Sequence, residues 1–145
     1  MTKQLNGGLF ALFFFLSGFF IPGGIQAQNI PAPESHFGFT PGTDRMLFQY
    51  EELIAYMQKL DETSDMLELR RIGESPMGKS MYSAFISTPD NIARLDSLQS
   101  INRELALNPG LSGKQLQAYQ QAGKVFILST LSMHSNEVGP SQAAP

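Results

Sequence analysis

Residues 124–133 read KVFILSTLSM, and this stretch decides which fold the sequence favours. Its first half is a continuous run of apolar and β-branched residues, which is typical of a strand buried on both faces at the centre of a sheet. A strand of this kind needs neighbouring strands and covering helices. The sequence therefore predicts an α/β domain in which a mixed β-sheet has helices on both faces.

The elements that precede this strand follow from hydrophobic periodicity. Apolar side chains recur every three or four residues between 48 and 62, which predicts an amphipathic helix. Two apolar runs, 66–72 and 81–88, flank a turn-rich stretch at 73–80. This arrangement predicts a β-hairpin with a loop of several residues.

Two further helices are predicted between the hairpin and the strand. The first is predicted to begin with Asp90 as its N-cap and to end near Asn108, before a Pro-Gly pair that cannot continue a helix. The second covers 113–122, with Ser112 as its N-cap and Gly123 at its end.

The start of the chain has the parts of a secretory signal peptide. A weakly positive N-terminus precedes the apolar run Leu9 to Ile21, and Ala27 provides a small residue for cleavage. As a helix the run spans roughly 20 Å, short of the ~30 Å hydrocarbon core, so an uncleaved membrane anchor is the weaker alternative. We expect residues 1–27 to be removed and Gln28 to begin an exported, periplasmic or extracellular protein without a stable membrane anchor.

The remaining chain divides into two parts. Residues 28–46 are rich in Pro and Gly and predict an extended lead-in that packs on the domain through Phe37 and Phe39. Residues 47–145 predict the N-terminal part of a larger domain, because nothing in the sequence covers the far side of the central strand. A new helix starts at about Ser141, so we expect the domain to be truncated.

Composition excludes some functions. The net charge is −3, and the charged residues are mixed in sign without a basic run, which argues against a nucleic-acid partner. The chain has no cysteine. Disulfides therefore cannot stabilise it, and stability must come from its core or from a metal.

The candidate chemistry lies directly after the predicted strand, at His134 and Glu137. In open α/β sheets ligands bind outside the carboxyl ends of the strands. A histidine and a glutamate three residues apart can direct an imidazole nitrogen and a carboxylate at one point, and zinc accepts both. The pair alone is a weak motif, and the alternative is two solvated loop side chains.

The wider sequence resembles the M14 zinc metallocarboxypeptidases. His134 to Gly139 read HSNEVG, which is similar to the motif that carries the first two zinc ligands in a secreted bacterial branch of that family. Residues 70–87, RRIGESPMGKSMYSAFIS, resemble the family's hairpin, although Lys79 stands where arginine is common. Residues 33–69 are similar to the lead-in and first helix of the same branch.

The resemblance implies a zinc-dependent metallocarboxypeptidase that hydrolyses a peptide or protein substrate with zinc-activated water. It assigns Zn²⁺ to His134 and Glu137. In the family, a second zinc histidine, a substrate-binding arginine and a general-base glutamate lie further along the chain, and no residue follows Pro145 here. The 145-residue chain is therefore expected to bind zinc loosely and to be inactive alone. His36, the other histidine, is not adopted as a third ligand.

Two other functions remain open. A related zinc amide hydrolase, or deacylase, would use the same H-x-x-E motif, but such enzymes are generally cytoplasmic. A noncatalytic secreted module that binds peptide or cell-wall fragments would need no complete site. Arg70 and Arg71 are interpreted as a surface pair on the hairpin, with an anion site as the alternative.

Overall fold

The computed structural model describes residues 29–134 and 136–145. The signal peptide predicted for residues 1–27 lies outside this range. In chain order, the helices and strands are α1 (Pro33–Phe37), α2 (Tyr50–Thr63), β1 (Leu67–Glu74), β2 (Ser80–Ile86), α3 (Pro89–Ile92), α4 (Leu95–Leu107), α5 (Gly113–Ala122) and α6 (Val138–Gln142).

Strands β1 and β2 form an antiparallel hairpin, as predicted. The pairing runs from Leu67 opposite Ile86 to Glu74 opposite Ser80, with a bulge that leaves Ile72 outside the register. Gly78 closes the loop at φ 74°, a left-handed conformation that glycine adopts without steric cost. The loop is closed by the Ser75 N–H, which donates to the carbonyl of residue 79 over 2.8 Å.

The amphipathic helix predicted for 48–62 is α2, and its apolar side packs against β1. Gln49 precedes it in a capping box with Glu52, whose carboxylate accepts from the Gln49 N–H at 2.6 Å. The buried apolar side chains come from α2, from β1, from the start of α4 and from the segment before α2. They are Phe48, Tyr56, Met57, Leu67, Leu95 and Leu98.

The predicted lead-in is not extended throughout. Pro33 opens the short helix α1, and Gly38 ends it. Proline suits a first helical turn because the N–H that it lacks has no partner within the helix. The prediction that Phe37 packs on the domain is confirmed, since its ring stacks on Phe48 with centroids 4.3 Å apart.

The helix predicted to begin at Asp90 is divided into α3 and α4. The break falls at Arg94, which has φ −120° and ψ 23°. Asp90 is not an N-cap; Thr88 occupies that position, and Asp90 lies inside the first turn of α3. The predicted end at Asn108 is confirmed.

Helix α5 has the predicted N-cap. The Ser112 hydroxyl accepts from the Gln115 N–H at 3.3 Å, and the Gln115 side chain completes a capping box. At the other end, Gly123 lies where α5 packs on α4. A Cβ there would stand 2.8 Å from the Tyr119 carbonyl oxygen and 3.1 Å from a methyl group of Ile101, so the close approach needs glycine.

The prediction of a buried central strand at 124–133 is wrong. The segment carries no helix or strand, and Val125, Ile127 and Leu128 are 89%, 92% and 82% exposed. The physical reason is that an apolar sequence allows a segment to be buried, but burial also requires other strands or helices that cover it. Within the described residues, the only strands are β1 and β2, and they pair with each other.

The described residues therefore form a mixed α/β structure of helices and a two-stranded antiparallel sheet. Among them, no helix combines the length and the apolar character that crossing a membrane requires.

Candidate metal centre

The predicted ligands His134 and Glu137 lie in one tight loop between the exposed apolar segment and α6. We call residues 132–137 the ligand loop. It is closed by a turn in which the Glu137 N–H donates to the His134 carbonyl at 3.1 Å. Helix α6 starts directly afterwards at Val138, three residues earlier than the helix expected near Ser141.

The structure brings the two predicted side chains together. His134 Nδ1 and Glu137 Oε1 are 2.7 Å apart, the distance of a hydrogen bond. Two ligands about 2.0–2.1 Å from a tetrahedral zinc ion are roughly 3.3 Å apart. The pair thus needs to open by roughly 0.6 Å, and Nδ1 must give up its proton, for both atoms to bind one ion.

The Glu137 carboxylate is oriented by the backbone of its own loop. Its second oxygen, Oε2, accepts from the N–H of His134 at 3.2 Å and from the N–H of Met133 at 3.3 Å. The hydrogen bond with the His134 side chain is the largest of the effects that lower the pKa of the Glu137 carboxyl below its ordinary value. The two backbone hydrogen bonds lower this pKa further. The carboxylate is therefore held in the charged form that a metal ligand requires.

Ser132 lies between the two ends of this turn. Its hydroxyl is 3.0 Å from the His134 carbonyl oxygen and 3.2 Å from the Glu137 carbonyl oxygen, both of which can accept its proton. Because the hydroxyl has a single proton, the two carbonyls share one donor. The Ser132 hydroxyl therefore bridges His134 and Glu137, the first and last residues of the motif.

Both candidate ligands are open to solvent. The exposed fraction is 65% for the His134 side chain and 47% for the Glu137 side chain, so water and a metal ion can reach them. In residues 29–134 and 136–145, no group of three or more histidine, cysteine or acidic side chains is arranged to hold a metal. The donors present fit two positions of a zinc site, and a complete site needs a third ligand.

His36 does not supply that ligand. Its Nε2 is 3.3 Å from the Glu52 carbonyl oxygen, and its ring packs against Phe37 and Tyr56. His36 belongs to α1, and its contacts with Glu52 and Tyr56 place its ring against α2. It stabilises the lead-in on α2, which agrees with leaving it out of the predicted ligand set.

The hairpin arginines are occupied by acidic partners. Arg70 donates to Glu68 at 2.5 Å and to Asp96 at 2.6 Å, and these carboxylates raise its pKa further. Arg71 donates to Glu74 at 3.0 Å. An anion would have to displace these carboxylates, so the interpretation of a structural surface pair is favoured over an anion site.

One residue of the candidate site is not identified from the sequence. Ser132 falls inside the segment predicted as a strand, 124–133. Serine is common at exposed positions, so its place two residues before His134 predicts no contact with the motif.

Comparison with known protein families, with curated proteins and with solved structures finds no match to this chain.

Proposed function

We propose that His134 and Glu137 are the first two ligands of a zinc site in a metallocarboxypeptidase-type hydrolase. One observation carries the proposal: the imidazole Nδ1 and the carboxylate Oε1 converge to 2.7 Å in an exposed loop. A histidine nitrogen and a carboxylate oxygen at such a spacing fit two corners of a tetrahedral zinc site. The M14-like motif and hairpin in the sequence supply the reaction class.

The chain's own residues have a defined task in this proposal. The two ligands hold the ion, and the N–H groups of Met133 and His134 fix the carboxylate that binds it. A zinc ion held there would supply Lewis-acid polarisation of a carbonyl group and a bound water with a pKa of about 7, which would suit hydrolysis of a peptide bond. The exposure of the loop leaves room for a third ligand and for a peptide substrate.

The finer architecture belongs to the same proposal. An M14-like mixed sheet with helices on both faces would cover the apolar side chains at 125–128, which are exposed in this structure. Large exposed apolar surfaces are the kind that further packing covers. Export is proposed from residues 1–27, and mass spectrometry of the secreted protein should find an N-terminus at Gln28 or within a residue or two.

The test of the site is a zinc titration of wild type and three variants by calorimetry. We expect wild type to bind zinc loosely, since two protein ligands leave the ion mostly hydrated. His134→Ala and Glu137→Ala should each abolish the binding. Asn136→Ala, which changes an exposed residue of the same loop, should leave it unchanged.

Activity separates the reaction classes. In a longer protein that supplies the third ligand, the same two substitutions should abolish hydrolysis of a peptide while circular dichroism shows an intact fold. Hydrolysis of an N-acyl amino acid instead of the peptide would favour the related deacylase. Zinc binding by His134→Ala equal to that of wild type would show that the motif is an ordinary surface loop and would refute the proposal.

A further inference from the structure

The side chain of Gln142, a few residues after the ligand loop, makes a polar contact with a residue 94 positions earlier in the chain. It is 9% exposed and is the only buried residue of α6. Its Oε1 accepts from the Phe48 N–H at 3.2 Å, and its Nε2 donates to the Phe48 carbonyl at 3.1 Å. One amide side chain thus satisfies both polar groups of one residue's backbone, as a neighbouring β-strand would do.

Phe48 lies in the packed part of the structure. Its side chain is 6% exposed and stacks on Phe37 at 4.3 Å. It is followed by Gln49, the N-cap of α2, whose own N–H is bonded to Glu52. Phe48 is therefore anchored by its buried side chain and by the start of α2, and a side chain bonded to its backbone is held to the packed part of the molecule.

Gln142 is joined to the ligand loop through α6. Glu137 is the N-cap residue of this five-residue helix, and Gln142 is its last residue. The Glu137 side chain does not cap α6; it turns back to the N–H groups of Met133 and His134. So short a helix has little stability of its own, and its position depends on tertiary contacts.

We propose that Gln142 is a positioning residue for the zinc site: its paired hydrogen bonds with Phe48 fix α6 and thereby hold Glu137 against His134. The inference rests on the proposed function for its metal, while the positioning itself is a property of the metal-free protein. Gln142 acts through the position of α6, since its paired hydrogen bonds go to the Phe48 backbone and not to either ligand.

The test uses Gln142→Met, which keeps the length of the side chain and removes both hydrogen bonds. Zinc affinity, measured by competition with a chromogenic chelator, should fall by roughly twofold or more, because affinity is reduced by the fraction of molecules in which the two ligands are held together. In the metal-free protein, amide hydrogen exchange at His134 and Glu137 should be faster by roughly fivefold or more, because the loop opens more often. Gln121→Met, the same exchange on an exposed position of α5, should change neither quantity.

Amide exchange in β1 and β2 serves as the check that Gln142→Met is still folded, and it should match wild type. Equal zinc affinity and equal loop exchange in Gln142→Met and wild type would overturn the positioning role. If wild type itself binds no zinc at His134, the proposed function fails, and the exchange rates of the metal-free loop still decide whether Gln142 positions it. A variant that loses protection throughout the hairpin would show that Gln142 stabilises the whole fold, and this outcome too overturns a role specific to the loop.

Discussion

The packed region at 48–98 and the ligand loop at 132–137 are held by different kinds of contact. The first buries apolar side chains such as Tyr56 and Leu98, which are 3% and 2% exposed. In the second, the described side chains are exposed, and the hydrogen bonds within the loop span at most five residues. Burying a large apolar side chain contributes about 1.5–3 kcal/mol, whereas a hydrogen bond contributes a net ~1 kcal/mol.

The difference separates stability from geometry. The packed region should set the free energy of unfolding, and the ligand loop should set where two ligand atoms stand. A substitution in one region, away from the contact of Phe48 with Gln142 that joins them, should therefore leave the property governed by the other nearly unchanged. Three experiments test this separation.

The largest effect is expected in the packed region. Leu98→Ala should lower the free energy of unfolding by about 2–4 kcal/mol, because it leaves a cavity at a site that is 2% exposed. Ile127→Ala, in the exposed apolar segment, should change it by no more than about 0.5 kcal/mol. Urea unfolding followed by circular dichroism measures both. A loss for Ile127→Ala as large as that for Leu98→Ala would show that the segment at 124–133 is packed in solution.

A smaller and different effect is expected from Ser132→Ala. Removing the hydroxyl that serves the His134 and Glu137 carbonyls should weaken zinc binding by several-fold, at or below the roughly tenfold change typical of outer-shell partners. The free energy of unfolding should stay within about 0.5 kcal/mol of wild type. Ser129→Ala, an exposed serine of the preceding segment, is the matched control. An equal zinc affinity for both variants would show that the loop keeps its geometry without Ser132.

The smallest effect is expected at the surface of the packed region, where Lys79 pairs with Glu51. The hydrogen bond with Lys79 lowers the pKa of the Glu51 carboxyl from 4.5. A carboxyl whose pKa is lower in the folded state stabilises the fold above its unfolded pKa, and this contribution is lost as the pH falls through the folded pKa. Lys79→Ala should therefore lower the urea midpoint slightly at neutral pH and leave it equal to wild type once the pH is well below 4.5.

Lys114→Ala, on the exposed side of α5, provides the control for loss of a lysine charge. A difference between Lys79→Ala and wild type that persists at acid pH would assign the effect to packing of the lysine stem. Such a result would show that the contact between Lys79 and Glu51 stabilises the protein by apolar packing and not by charge.

The local elements were predictable from the sequence because their causes are local. The periodicity of 48–62 gave α2, the turn residues around Gly78 gave the hairpin, and Ser112 gave the start of α5. The division of the next helix at Arg94 was missed, since the apolar spacing continues across it. Propensity and capping act over one turn, and the position of a break depends on what the two halves pack against.

The tertiary arrangement of 124–133 could not be predicted in the same way. Val125 and Ile127 have the residue types of a buried strand, but a strand exists only when another strand pairs with it. At the candidate site, the spacing of His134 and Glu137 allows their side chains to meet, but the pair alone is equally compatible with two solvated loop side chains. The contact between Gln142 and Phe48 joins residues 94 positions apart, and no short sequence pattern records a pairing of that span.

The close packing at Gly123 has a consequence for engineering this protein. Replacing glycine by alanine is a standard route to thermostability, since it restricts the unfolded chain and gains about 0.4–1 kcal/mol where the folded backbone accepts it. Gly113 offers that gain, because it opens α5 and nothing stands within 4 Å of an added Cβ. At Gly123 the backbone angles would also accept alanine, yet the added carbon would clash with the Tyr119 carbonyl oxygen at 2.8 Å and crowd a methyl group of Ile101 at 3.1 Å, so the end of α5 would have to shift. Backbone angles alone would rank the two positions as equivalent. Gly113→Ala should stabilise the protein, whereas Gly123→Ala should destabilise it.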